Sequence, residues 1–176
     1  MRRVVVALVA ALVVGGGVGP VRAAESVAYG REGARAYYPD VERIVCEINQ
    51  ERVRRGLVAL GISDAASGVA RAHARDMAKQ GELSGVGSDG RDLRTRLADA
   101  GLYSAYVSEY MLAGYHHDGY FADMATDPDP RNEFYKVLMD RKVSAIGIGY
   151  DRDYWDVDLL GPHRKLVTRA PACVRD

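Results

Sequence analysis

Histidines, one glutamate in an alternating segment and two distant cysteines are the residues of this chain that could do chemistry. His116 and His117 stand side by side before Asp118, an arrangement that invites a metal ion. Adjacent side chains diverge by about 100° on a helix and about 180° on a strand, so two surface loop histidines are the plainer expectation. Either His116 or His117 could still swing into a cleft beside Glu109 as an acid or base, because imidazole titrates near neutral pH. His73 shares a helical stripe with Val69, Ala70 and Met77 and reads as a satisfied core histidine, while His163 follows Pro162 in a loop.

Other patterns have ordinary explanations. Gly85, Gly87 and Gly90 spell G-x-G-x-x-G, with Glu109 nineteen residues further on. A dinucleotide loop needs a strand before it and a βαβ unit around it, whereas a helix precedes these glycines. No G-x-S-x-G elbow or Walker-type phosphate loop occurs. Asp127 and Asp129 alternate with Pro128 and Pro130, a pattern that favours a capped turn over a calcium loop. The aromatic set is skewed, with 11 tyrosines against 2 phenylalanines and 1 tryptophan. Tyr103, Tyr106, Tyr110 and Tyr115 are either half-buried sheet residues or a platform for a glycan or peptide.

The elements that must position these groups follow from periodicity. Asp40 caps a helix whose face carries Val41, Ile44, Val45 and Ile48 and which Gly56 stops. A second helix opens near Ser63 or Asp64 and closes at Gly81, and a third carries Leu93, Leu97 and Ala100 and ends at Gly101. Val107, Glu109 and Met111 alternate with Ser108 and Tyr110 as a strand does, and Val143 to Tyr150 is a short apolar strand. Tyr120, Phe121 and Met124 mark one more helix, stopped by the prolines at 128 and 130. Beyond a turn at Asp151 to Asp153, Trp155, Val157 and Leu159 face one way and Tyr154, Asp156 and Asp158 the other, which predicts a hairpin with one wet face. Helices first and strands later predict a sheet covered by helices.

Arg2 and Arg3 precede an apolar run from Val4 to Val14, and small residues follow it up to Ala23. That is the layout of a secretory signal peptide cleaved after Ala23, with an uncleaved anchor as the alternative. Without residues 1–23 the chain would keep 21 basic against 24 acidic residues, interleaved throughout, which argues against nucleic-acid and polybasic membrane partners. The two cysteines, Cys46 and Cys173, are expected to pair in an exported chain; two buried thiols are the alternative.

Taken in order, Glu47 to Leu60 (EINQERVRRGLVAL), Val69 to Gly85 (VARAHARDMAKQGELSG), Gly87 to Leu102 (GSDGRDLRTRLADAGL), Ser108 to Tyr115 (SEYMLAGY) and Ile146 to Gly161 (IGIGYDRDYWDVDLLG) resemble the bacterial secreted branch of the CAP superfamily, the cysteine-rich secretory or SCP-like proteins. The resemblance implies an α+β fold, a three-layer α-β-α sandwich with a mainly antiparallel sheet. It divides the chain into a signal peptide (1–23), a flexible leader (24–38) and a CAP domain (39–176).

Many relatives line a central cleft with two histidines and one or two glutamates that can hold a divalent metal. Gly85, after Ser84, stands where the first of those histidines would be. Glu109 matches the glutamate of the family's Glu-Asn pair, with Tyr110 in place of the asparagine. Asp127 to Arg131 replaces the Ser-Pro-x-His-Arg stretch, so the second histidine is missing as well. One glutamate cannot supply a zinc-type ligand set. The expectation is therefore a degenerate cleft with no metal, no cofactor and no catalytic residue, whose candidate residues are Glu109, Tyr110, His116 and Arg131. The chain would then be a monomeric secreted module that binds an extracellular or cell-envelope protein or glycan. The alternative is a hydrolase using Glu109, Arg131 and a relocated His116 or His117.

Overall fold

The structure is a computed structural model that describes residues 37–173; the expected signal segment and nearly all of the leader lie outside the described residues. The chain runs α1 (Val41–Arg54), β1 (Gly61–Ile62), α2 (Asp64–Gln80), α3 (Leu93–Asp99), β2 (Val107–Ala113), α4 (Asp118–Thr126), α5 (Glu133–Leu138), β3 (Ala145–Asp151) and β4 (Tyr154–Leu160). The four strands form one sheet in the order β1-β3-β4-β2. Three of its strands are antiparallel neighbours, and β1 joins β3 in parallel, so the sheet is mixed rather than purely antiparallel.

The helix limits follow the local chemistry. The Asp40 carboxylate accepts from the Arg43 amide at 3.1 Å and starts α1, and the Ser63 hydroxyl accepts from the Ala66 amide at 3.3 Å and starts α2. Gly81 closes α2 with φ +72°, a left-handed geometry that glycine adopts without a Cβ penalty. β3 and β4 are joined by Arg152 and Asp153, both with positive φ, as a tight two-residue hairpin turn requires.

Alternation along the strands sends residues to two faces. Ile146, Ile148, Trp155, Val157 and Leu159 meet Ile44 and Ile48 of α1, Phe121 of α4 and Phe134 of α5 in the larger core. Ala145 and Leu160 meet Ala66 and Val69 of α2 and Leu93 and Leu97 of α3 on the other face. Helices thus cover both faces of the sheet, the three-layer α-β-α sandwich. Arg52 ties the first layer together: its buried guanidinium donates to the carbonyls of Val58 at 2.9 Å, of Asp140 and Val143 at 3.1 Å each, and of Leu138. Cys46 and Cys173 form a disulfide, with Cα atoms 5.6 Å apart, that links α1 to the C-terminal segment.

The structure corrects one expectation. The face of β4 that carries Asp156 and Asp158 is not wet; both aspartates are 0 % exposed because α2 lies across them. Strand β1 and helix α5 had no sequence signal. The first is two residues long and exists through its pairing with β3, and the second is a six-residue turn capped by Asn132.

A buried carboxylate cluster as candidate functional site

Strand register assembles the site. On the α2 face, Glu109 of β2 lies opposite Asp158 of β4, and Met111 lies opposite Asp156. On the other side of β4, Gly147 and Gly149 of β3 lie opposite Asp158 and Asp156. The two glycines let the helix down onto the sheet. A Cβ at Gly147 would sit 2.5 Å from the Ala66 carbonyl carbon, and one at Gly149 would sit 2.1 Å from that of Ala70. His73, one turn beyond Ala70, is thereby pressed into the interior and is 2 % exposed.

One ligand-capable atom each from His73, Glu109 and Asp156 lies within 4.8 Å of the others. His73 Nε2 stands 3.8 Å from Glu109 Oε1 and 2.7 Å from the Ser84 carbonyl oxygen. Arg96 of α3 completes the cluster, donating to Glu109, to the Gly85 carbonyl at 3.1 Å and to the Arg91 carbonyl at 2.9 Å.

Three carboxyl groups therefore face one guanidinium in a dry interior. Burial pushes the carboxyls of Asp156 and Asp158 well above the usual carboxylate range, and the neighbouring acids push them further. Glu109 is raised by burial and restrained by Arg96. His73 is held below its ordinary value by burial and then by the Arg96 charge, so its imidazole is neutral. Asp156 and Glu109 lie within reach of a bond through a shared proton. As carboxylates neither can donate, and both oxygens of Asp156 and of Asp158, together with His73 Nδ1, are buried without a hydrogen-bond partner.

The expected cleft residues do not gather around Glu109. Tyr110 points to the opposite face of the sheet and stacks on Phe134 at 4.5 Å between ring centroids. His116 is an exposed loop residue, with Nδ1 3.7 Å from Asp153 Oδ1. His117 caps α4, its Nδ1 accepting from the Gly119 amide at 3.1 Å. The Arg131 side chain is 89 % exposed and pairs with Asp129 at 2.8 Å. Asp127 and Asp129 accept from the Asp129 and Arg131 amides at 3.1 and 2.8 Å, the geometry of capped turns.

The tyrosines diverge as well. Tyr106 bonds Asp140 at 2.6 Å, and Tyr103 is 59 % exposed. Gly85 does face the glutamate, since a Cβ there would lie 3.4 Å from Glu109 Oε2. A cleft ion of the family type has no place among these residues: both of its histidines are absent, and a guanidinium occupies the one remaining carboxylate.

The sequence reading missed Asp156, Asp158 and Arg96. The available signal was Gly147-x-Gly149: two glycines alternating in a strand mark the close approach of another backbone, and the aspartates of the next strand share that face. One of two surface hollows shares residues with the site and the other shares none. A polar one of about 280 Å³ has His73 and Arg96 among its lining with Asp76, Asp89 and Arg91. The other, about 460 Å³ and more apolar, is lined by Arg94, Leu97, Leu102, Tyr103 and His163 among others.

Comparison with known proteins agrees with this architecture. The model of the cysteine-rich secretory protein family, CAP, matches residues 45–157. Among solved structures, an extracellular protein containing an SCP domain from Bacillus anthracis aligns with a TM-score of 0.60 at 18 % identity, over 68 % of this chain and 39 % of the other. A cysteine-rich secretory protein from Staphylococcus aureus gives 0.54 at 17 % identity, over 68 % and 37 %. An outer surface protein from Borrelia burgdorferi gives 0.57 at 17 % identity, over 68 % and 90 %. The match thus spans well under half of the first two solved chains. No curated protein matches the sequence. With the family model covering well over half of its residues, the chain belongs to the cysteine-rich secretory protein (CAP) family.

Proposed function

We propose that this chain is a non-enzymatic extracellular binding module. The observation that carries the reading is the Arg96–Glu109 ion pair: the one acid left from the family cleft is neutralised by a guanidinium. A carboxylate held by a guanidinium is a weaker base for a substrate proton. Extracellular placement is supported by relatives described as an extracellular protein and an outer surface protein, and no described helix is long and apolar enough to cross a membrane.

The hollow beside Tyr103 is the binding face. It combines an exposed aromatic ring with Arg94 and His163 in its lining, and an amphipathic ring beside a guanidinium suits a cell-envelope protein or glycan. The chain acts as a monomer in this reading. Immobilised protein offered a detergent-free envelope fraction should retain one component, and Tyr103→Ala should lose it with folding intact. Empty beads from the folded parent overturn the reading.

A hydrolase remains the second reading because one histidine, His73 rather than His116, does stand 3.8 Å from Glu109. It predicts hydrolysis of envelope material by the parent protein and loss of that activity in a folded Glu109→Ala variant.

A further inference from the structure

We propose that the hollow beside Tyr103 takes the free carboxyl end of a peptide chain whose last residue is apolar. The proposal rests on the reading of that hollow as the binding face and adds to it the chemistry of the ligand.

The floor of the hollow is apolar and its frame is fixed in advance. Leu97 of α3, Leu102 just beyond that helix and Val107 at the start of β2 line a space of about 460 Å³, within the range of small-ligand sites. The Ser104 hydroxyl donates to the carbonyls of Tyr106 at 2.8 Å and of Gly161 at 3.1 Å. The Gly161 amide donates to the Tyr106 carbonyl at 2.8 Å, so the loop that carries Tyr103 is tied to the end of β4. A preformed site spares its ligand the cost of ordering it.

The polar side chains of the lining offer donors. Arg94 is exposed, and among the described residues its one hydrogen bond runs from Nη1 to the Ser104 carbonyl at 3.2 Å. The rest of its N–H fork is available, and a guanidinium fork matches a carboxylate. His163 Nδ1 accepts from the Lys165 amide at 3.2 Å, which leaves the proton of the neutral ring on Nε2 as a second donor. No Asp, Glu, Asn or Gln lines the hollow.

Donors beside an apolar floor match a group that only accepts, carried on an apolar body. A terminal carboxylate next to an apolar side chain is such a group. Sugar hydroxyls bring protons of their own, and with Ser104 engaged only the Tyr103 phenol among the lining side chains stands ready to accept them. An internal peptide segment brings no charge for Arg94. A long acyl chain is served by an enclosed tunnel, whereas this hollow lies at the surface with Tyr103 59 % exposed.

The test titrates N-acetyl-Ala-Ala-Leu with a free carboxyl end, and separately its carboxamide, into the full chain and follows the backbone amides by NMR. The acid should shift the amides of Tyr103, Ser104 and His163, and the carboxamide should bind at least about tenfold more weakly, the loss of one charge-assisted contact. Arg94→Gln should bind both peptides alike, and Arg94→Lys should keep part of the preference because the charge remains. Equal binding of acid and carboxamide, no shift with either, or a preference that survives in Arg94→Gln overturns the proposal. So does decanoate that binds at the same amides more tightly than the peptide. Should Arg94→Gln fail to fold, acid against carboxamide on the parent decides. Failure here leaves the binding face standing if an envelope component is still retained and is lost in Tyr103→Ala, whereas empty beads overturn that reading whatever the peptides do.

Discussion

Replacing Gly149 by alanine tests whether α2 truly rests backbone on backbone against β3. The new Cβ would lie 2.1 Å from the Ala70 carbonyl carbon and 2.2 Å from the Arg71 amide nitrogen, where ordinary contact begins near 3.4 Å. No side-chain rotation relieves a clash with main-chain atoms, so the helix must lift by about 1.3 Å. A gap of even 0.5–1 Å forfeits about a quarter to a half of each dispersion contact it opens, and Ala66, Ala70, Ala74 and Met77 all pack across this interface.

Overpacking costs about 1–3 kcal/mol at sites that can adjust; this one sits at or above the upper end, about 3 kcal/mol or more, or roughly 10 °C in Tm. Gly68 is the internal control. It lies in the same helix with open space where its Cβ would be, so Gly68→Ala should stabilise by about 0.5–1 kcal/mol. Urea titration monitored by the Trp155 fluorescence, with far-UV dichroism as a second probe, measures both. If Gly149→Ala falls within about 1 kcal/mol of the parent, the close approach of helix and sheet is refuted, and the burial of His73 over Asp156 loses its explanation.

Other perturbations reach separate parts of the structure. Arg52→Ala should cost about 3–5 kcal/mol in chemical denaturation, because four buried or part-buried carbonyls lose their donor, and Arg52→Lys should recover little of it since a single ammonium cannot span them. Cys46→Ser with Cys173→Ser opens a loop spanning 127 residues and should cost about 4–5 kcal/mol in the chain-entropy account, read as a Tm loss that reducing agent reproduces in the parent. Glu51 is held down to about 2 by Arg55, then Arg54, with a further bond from Tyr135. Its contribution is therefore present above the unfolded value of 4.5 and lost as pH falls through about 2. Screening around the partly exposed arginines reduces it to about 1–2 kcal/mol, and Glu51→Gln should flatten the acid limb of the stability curve between those two values.

Much of the fold was legible because its signals are local. Asp40, Ser63 and Gly81 announce helix limits through capping chemistry that needs no tertiary partner, and the apolar stripe of α1 places it on the core. The strands β3 and β4 and their turn were also visible. What alternation could not reveal was the fate of the second face. Trp155-Asp156-Val157-Asp158-Leu159 has the pattern of a half-wet strand, and nothing within β4 shows that a helix covers the aspartates. The covering helix is specified elsewhere, by Gly147 and Gly149 on the next strand and by the small residues Ala66 and Ala70 of α2. Glu109 was found as a candidate through its resemblance to a family position, but its true neighbours, His73, Arg96, Asp156 and Asp158, come from three elements and meet only through strand register and helix seating.

The same close packing that makes the sandwich rigid creates its electrostatic problem. An alanine at Gly147 or Gly149 would hold the helix off the sheet and admit water to Asp156 and Asp158, and the carboxylates would then need no other partner. With glycine there, the helix excludes water, and the aspartates must be neutralised from within. Two apolar residues in their place would fill the space without any such demand. Burial accordingly raises both carboxyls and favours their protonated, uncharged forms, and Asp156 lies within reach of a bond to Glu109 through such a proton. In the proposed binding reading, the exposed surface around Tyr103 would meet the partner, while the closed interior around Asp156 fixes the frame on which that surface is carried.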